Sequence, residues 1–545
     1  MTQRALPAPP LPQGRPRLVI TGFMGTGKTA AGRHAAIRLG LPFFDLDDVV
    51  EARAGMTVSQ LFDLLGEEAF RARERHVLAD AAQASGAVIA TGGAAPLQGD
   101  YWTALADGAV AVVLEAGAEE IERRFVGGEV RPLLAPDPPR RIRELLAARK
   151  DAYAAAGEPM ATDGLEAEAV GARLAERYRS VVQPSPLEVV VGGEVGTSVL
   201  VGEGTLDRVG EWIAGAVAGT SAVIVADRAA AGRIGKQLRA GLEAAGLRPT
   251  VVAMRGGEEA KSVDRLAWLW ERFRDAGLDR TGTVVAVGGG TVLDISGMAA
   301  ATYARGIALV NVPTTLLAMV DAGLGGKVGL NHAGVKNLAG AFHHPRVVAV
   351  DPAALTSAPS RAIQGGLAEI AKVGVLASPL VLDVLADGPG GDLHRHLGWL
   401  VEQAVRIKAG YVAQDPFDRG VRAALNLGHT FAHAIEAASM YEVPHGEAVA
   451  VGLLAAARLG AEAGLTPDGL VERLTDLLVR LGLPAECPDL PEEAVLAAMR
   501  SDKKWSSEGA AFIVPAARGA FVLDGVDLRD ALAALYPARG RVFHG

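Results

Sequence analysis

Of the eleven histidines in 545 residues, His429, His433 and His445 share the stretch LNLGHTFAHAIEAASMYEVPH (425–445). Neutral imidazole is a common metal ligand, and helical spacing places His429 and His433 on one face. Read from spacing alone, a metal site would use His429 and His433 with either His445 or Glu369, the acid of GGLAEIAK (365–372). Upstream, VVAVGGGTVLD (284–294) joins a strand to a glycine turn and an acid, Gly289, Gly290 and Asp294, the arrangement of a dinucleotide site. Asp227 ends the run SAVIVAD, where a carboxylate can take ribose hydroxyls. Far from both, GFMGTGKT (22–29) has the form of a phosphate loop. Gly25, Thr26 and Gly27 turn backbone N–H groups toward phosphates, Lys28 reaches the β- and γ-phosphates, and Thr29 offers a hydroxyl to Mg²⁺. Two unrelated active sites in one chain are expected.

Each of these loops needs a strand behind it. Between 17 and 180, short β-branched runs (Arg17–Thr21, Ala87–Ala90, Ala109–Leu114) alternate with Ala/Arg/Glu-rich helical stretches, the pattern of a parallel α/β sheet. Gln183-Pro-Ser-Pro186 then interrupts the chain, because proline disfavours helix at the residue before it. A second α/β series starts at Leu187, with strands near 187–191, 221–226, 249–254, 283–287 and 307–311. From about 352 strand signals vanish and Ala/Leu/Glu-rich helices run toward 500. The expected divisions are a disordered tail over 1–16, a P-loop domain over 17–183, an α/β nucleotide lobe over 187–351 and an all-helical metal and substrate lobe over 352–545.

The net charge of −9, with no basic stretch, argues against a nucleic-acid partner and for small-molecule substrates. The most apolar stretches are broken by Arg305, Pro313 and Arg458, short of the roughly 20 residues a membrane helix needs. The single cysteine, Cys487, excludes an intrachain disulfide and fits a reducing cytoplasm. Five prolines within MTQRALPAPPLPQGRP read as a loose tail.

The phosphate loop has company. FFDLDDVVE (43–51) carries Asp45 and Asp47, GEEAFRARE (66–74) carries Arg71, ATGGA (90–94) adds a second glycine turn, and RPLL (131–134) precedes Arg149. This set, with its spacing, resembles shikimate kinase over nearly all of 17–180. The resemblance implies that Asp45 helps to hold the metal with Thr29, and that Asp47 accepts the substrate hydroxyls and acts as base. It further implies that Arg71, Gly92, Gly93 and Arg149 bind shikimate and that Arg131 covers the ATP phosphates from a lid. The chain departs from the family in reading Gly92-Gly93-Ala94 where three glycines are usual.

Residues 187–545 resemble 3-dehydroquinate synthase at GGEEAKS, GGGTVLD, PTT, GGK, GVKN, AEIAK, NLGHTFAHAIE, PHGEA and DKK. By that likeness Glu369, His429 and His445 hold Zn²⁺, or Co²⁺ in its place, while His433 transfers a proton and contacts phosphate. Asp227, Glu258, Lys261, Gly289, Gly290, Asp294, Thr314, Thr315, Lys327 and Lys336 then line the NAD site. The substrate's phosphate and carboxylate fall to Lys327, Lys336, Asn337, Lys372, Lys408, Arg422, Asn426 and Lys504, with Asp321 and Lys372 beside the chemistry. Arg305 is expected to reach a neighbouring subunit, in a homodimer formed through this half. DAGLGGK stands where the family has D-x-S-V-G-G-K. The implied activities are phosphorylation of shikimate by ATP, and conversion of 3-deoxy-arabino-heptulosonate 7-phosphate into 3-dehydroquinate and phosphate. In the pathway that the resemblance implies, a dehydration and a reduction separate the two, so no direct handover between the sites is expected. The junction at 183–186 reads as a spacer between independently folding units.

Overall fold

The computed structural model describes residues 2–125, 134, 137–182, 186–192, 196–333, 335–357, 360–386, 393–501, 505–506 and 509–537. Arg131 and Lys504 therefore lie outside the described residues. The chain forms two compact units, one of residues 14–184 and one that joins residues 1–13 to 185–545.

In the first unit, Leu18–Gly22 is a fully buried apolar run at the centre of a parallel sheet. The strand order is Phe43–Asp45, Val88–Ala90, Leu18–Gly22, Val110–Glu115, Glu158–Ala161. The helices Lys28–Leu39 and Ala167–Val181 pack on it through Ala31, Ala35, Val170 and Leu174. Gly22 turns the chain from strand to loop at φ 137°, where an added Cβ would lie 2.3 Å from Leu114 O. The helical stretch Val58–Ala81 breaks at Gly66 (φ 81°, ψ 168°), and its second part carries Arg71 and Glu74.

The second unit opens on a seven-stranded sheet in the order Arg248–Met254, Ser221–Asp227, Thr283–Gly288, Ala308–Pro313, Val347–Val350, Thr197–Val201, Leu187–Val191. Its ladders are parallel except the last, where Leu187–Val191 runs antiparallel to Thr197–Val201. Lys327–His332 and Val335–Phe342 then form an antiparallel pair. The lobe that follows is built on the long helices Ser360–Ala377, Leu393–Gln414 and His445–Glu462, with the shorter His429–Ala438 among them.

Two expectations need correction. The lobe is not all helical, because Trp505–Ser506, Gly509–Pro515 and Ala520–Val526 form an antiparallel sheet. The segment 1–16 is not a free tail: Thr2–Leu6 is the edge strand of that same sheet, paired with Ala520–Asp524. Its composition hid this, because a five-residue strand shows too little alternation and its partner lies at the far end of the chain.

Candidate active sites

In the first unit the helix Lys28–Leu39 begins at Gly27 (φ 88°) with no side-chain cap, leaving its first N–H groups for an anion. Lys28 Nζ donates to the carbonyls of Gly22 (2.9 Å) and Phe23 (3.0 Å), which folds the loop around it. Thr29 Oγ1 donates to Asp45 Oδ2 at 2.5 Å, and Asp45 Oδ1 accepts from Asp47 N, so one carboxylate caps the next helix and ties it to the phosphate loop. A cavity of about 330 Å³ opens here, with Lys28, Asp47, Arg71, Gly92, Gly93 and Arg149 in its wall.

Gly92 leaves room for two carboxylates. A Cβ there would stand 2.8 Å from Glu74 Oε1 and 3.0 Å from Asp47 Oδ1. Ala94, by contrast, sits at φ −107°, a conformation any L-residue adopts, so the departure from three glycines leaves the turn intact. Arg149 Nη1 and Tyr153 OH both donate to Gly93 O, at 3.2 and 2.6 Å. Sequence reading missed Tyr153 and Glu74. Glu74 is 2% exposed, and its Oε2 takes Arg71 Nη1 (2.7 Å) and Gln98 Nε2 (2.9 Å). Its place three residues after Arg71 was the available signal.

In the second unit Glu369, His429 and His445 converge, their ligand atoms within 4.8 Å of one another. His429 Nε2 and His445 Nε2 each stand 3.5 Å from Glu369 Oε1, a fully buried oxygen without a hydrogen-bond partner. The other imidazole nitrogens are engaged: His429 Nδ1 meets Leu427 O at 3.2 Å and His445 Nδ1 meets Glu436 Oε2 at 3.3 Å. Both rings therefore turn Nε2 toward one point, as metal-ligating histidines do. His433 is exposed in the adjoining wall, its ring 5.6 Å from that of His429, and stands outside this cluster.

Backbone contact brings these ligands together. A Cβ on Gly446, next to His445, would lie 2.3 Å from Gly365 Cα, and one on Gly452 would lie 2.3 Å from Gly428 O. Three ligand-bearing helices thus meet where only glycine fits.

The cluster borders a cavity of about 620 Å³ whose wall includes Lys327, Lys372, Lys408, Arg422, Asn426 and His433. Each cation there has a partner. Lys372 pairs with Glu369, Lys408 with Asp321 and Lys327 with Asp418. Arg422 donates to Pro416 O and Gly325 O at 2.9 Å each, and glycine at 325 allows that approach, since a Cβ would fall 2.3 Å from Nη2. Burial opposes charge on Glu369, yet Lys372 and the two histidines hold its carboxyl well below the usual range. Burial likewise opposes Asp321, but Lys408 prevails and brings it to about 2. His445, between Glu369 and Glu436, is raised to about 10 despite its burial.

The glycine turn lies at the mouth of the parallel sheet. Gly289 caps the helix Gly290–Thr302 without a side-chain bond, and a Cβ on it would touch Thr315 at 3.3 Å. Thr314 N donates to Gly288 O at 3.0 Å, and Lys261 Nζ bonds Asp294 Oδ2 at 2.7 Å. Burial lifts Asp294 to about 6 against the pull of Lys261. Asn331 joins Glu258 to Asn337, through bonds of 2.8 and 2.9 Å. Asp227 accepts from Ala229 N and Gly256 N. Lys336 bonds Glu436 at 3.3 Å and lies over the Tyr441 ring. Arg305 is exposed, at φ 68°, and does not line this cavity.

Family models described as 3-dehydroquinate synthase N-terminal and C-terminal match residues 251–365 and 366–505. The 3-dehydroquinate synthase of Symbiobacterium thermophilum is 41% identical over 342 residues, 61% of this chain and 94% of its own length. The chain belongs to the 3-dehydroquinate synthase family. That of a Synechococcus strain is 38% identical over 330 residues, 59% of this chain and 90% of its own. Among solved structures, ValA, a 2-epi-5-epi-valiolone synthase from Streptomyces hygroscopicus with NAD⁺ and Zn²⁺ bound, is 28% identical with TM-score 0.56, over 65% of this chain and 98% of that one. Residues 24–179 match the shikimate kinase family model. The chain is thus a bifunctional enzyme that joins a shikimate kinase, a phosphotransferase, to a 3-dehydroquinate synthase, a lyase. No helix among the described residues is long and apolar enough to cross a membrane.

Proposed function

We propose that the synthase site binds NAD⁺ and a divalent cation, Zn²⁺ or Co²⁺, and that the kinase site binds ATP with Mg²⁺. One observation carries the metal assignment: the buried Glu369 Oε1 faced by two imidazole Nε2 atoms at 3.5 Å, with the three ligand atoms within 4.8 Å of one another, a donor set of the kind that holds a divalent cation. The relative with NAD⁺ and Zn²⁺ bound supports it. The uncapped helix start at Gly289 suits a pyrophosphate, and Asp227, at the end of its strand, suits a ribose. When bound, NAD⁺ takes and returns a hydride and the cation polarises the hydroxyl being oxidised. The chain's own residues do the rest. Lys408, Arg422, Lys327 and Asn426 hold the anionic substrate, and His433, exposed in the wall, moves a proton as phosphate leaves. Lys372 keeps Glu369 ionised, ready to ligate.

In the kinase site, Thr29 and Asp45 would hold Mg²⁺, and the helix start and Lys28 would hold the phosphates. Arg71 and Arg149 flank the pocket where a carboxylate can pair, and Asp47 serves as base to the hydroxyl. We assign the enzyme to the cytoplasm and to a homodimer formed through the synthase, in which the exposed Arg305 serves the neighbouring subunit. The test assays the whole protein with each substrate separately. Shikimate should consume ATP, and the heptulosonate phosphate should release phosphate without net NADH. Accumulating NADH would identify a polyol dehydrogenase instead.

A further inference from the structure

The kinase unit is inserted into the synthase rather than attached to it: residues 1–13 belong to the synthase unit, and the kinase occupies 14–184 between them and the remainder. Thr2–Leu6 runs antiparallel to Ala520–Asp524 with Leu6 buried, and lies against the turn Val421–Asn426 that carries Arg422 and Asn426. Gly519, at φ 82°, lets the segment in, since a Cβ there would be 2.2 Å from Leu6 O. The proline run then crosses the helix Leu393–Gln414. A Cβ on Gly410 would meet Pro10 O at 2.9 Å and Pro9 Cγ at 3.1 Å. Arg406, 5% exposed, donates to Pro12 O from Nε at 3.1 Å and from Nη2 at 2.8 Å. Residues 406 and 410 share one face of this helix, and Lys408 projects from the opposite one, into the synthase cavity.

We propose that the N-terminal thirteen residues are a positioning element of the synthase site, bracing from behind the helix that presents Lys408 and the turn that presents Arg422 and Asn426. Pro7, Pro9, Pro10 and Pro12 remove four N–H groups that would otherwise need partners where the segment crosses the helix. It carries no group into the cavity. Its effect falls on binding of the anionic substrate, and the inference rests on the assignment of Lys408 and Arg422 to that role.

The test uses the full chain in three variants. Deletion of residues 2–13 removes the brace, Gly410→Val places a branched side chain where Pro9 and Pro10 lie, and Lys408→Ala checks the substrate role itself. The first two should raise KM for the heptulosonate phosphate at least about tenfold, as displacement of a binding group by a fraction of an ångström to an ångström does. Synthase kcat at saturation and both kinase constants should stay near the parent's. A synthetic peptide of residues 1–13 should restore the deletion variant saturably. Unchanged KM in Gly410→Val, or a fall in kcat at unchanged KM, the mark of a smaller folded fraction, would overturn the brace. Should the deletion variant not fold, Gly410→Val decides alone. If Lys408→Ala also leaves KM unchanged, the fault lies instead in the substrate-binding assignment.

Discussion

Glu436 spans His445 and Lys336, at 3.3 Å each. A carboxylate on Nδ1 fixes the tautomer and aims Nε2, and loss of such a partner typically weakens metal affinity about 10- to 100-fold. Glu436→Gln should show that loss in competition with a chelator; unchanged affinity would leave Glu436 only its pairing with Lys336. Glu369→Ala and His429→Ala should release the metal outright, whereas His433→Ala should keep it and slow the reaction. A metal-free His433→Ala protein would restore the helical-spacing set that the sequence left open. Spacing told which face the histidines share but not how deep each sits: His429 is buried against Glu369, and His433 one turn later is exposed. At the other site, Lys28→Ala should abolish shikimate phosphorylation and leave cyclisation unchanged, because Lys28 acts only in the phosphate loop. Loss of both activities would contradict separate sites.

The elements that carry these residues were legible wherever a motif is contiguous. The phosphate loop, the glycine turn after Thr283–Gly288 and the helix after His429 all fall where their residues place them. What stayed hidden depends on partners distant in sequence. Thr197–Val201 and Val347–Val350 are short apolar runs that only their pairing in the sheet distinguishes from loop. Gly365 and Gly446 stood in plain motifs, but nothing local says that they meet. Gly446→Ala should force the helix of His445 away from that of Glu369, costing about 1–3 kcal/mol for overpacking and lowering metal affinity with it. Denaturant midpoints and metal titration on one preparation check this, and a stable variant with parental affinity would show that the helices separate without consequence.

For the whole molecule, the junction at 183–186 read as a spacer, and the compact units do divide between Pro184 and Ser185. The expectation of two independent halves meets one complication, because the synthase unit takes an edge strand from the other end of the insertion. Two tethers keep the kinase and synthase in fixed ratio. A protease site placed at 183–186 separates the possibilities. After cleavage the pieces 1–184 and 185–545 should stay together, held by Thr2–Leu6 and by the carbonyl of Pro12 on Arg406, with both activities intact. Cleavage turns an intramolecular contact into a bimolecular one, so the lost effective concentration should appear as dilution dependence. At low protein concentration the synthase KM should climb toward that of the deletion variant while shikimate phosphorylation is unaffected. A second cut after Gln13 should free the kinase unit and leave the segment on the synthase. Pieces that separate on the first cut and keep full synthase efficiency would show that the edge strand is dispensable.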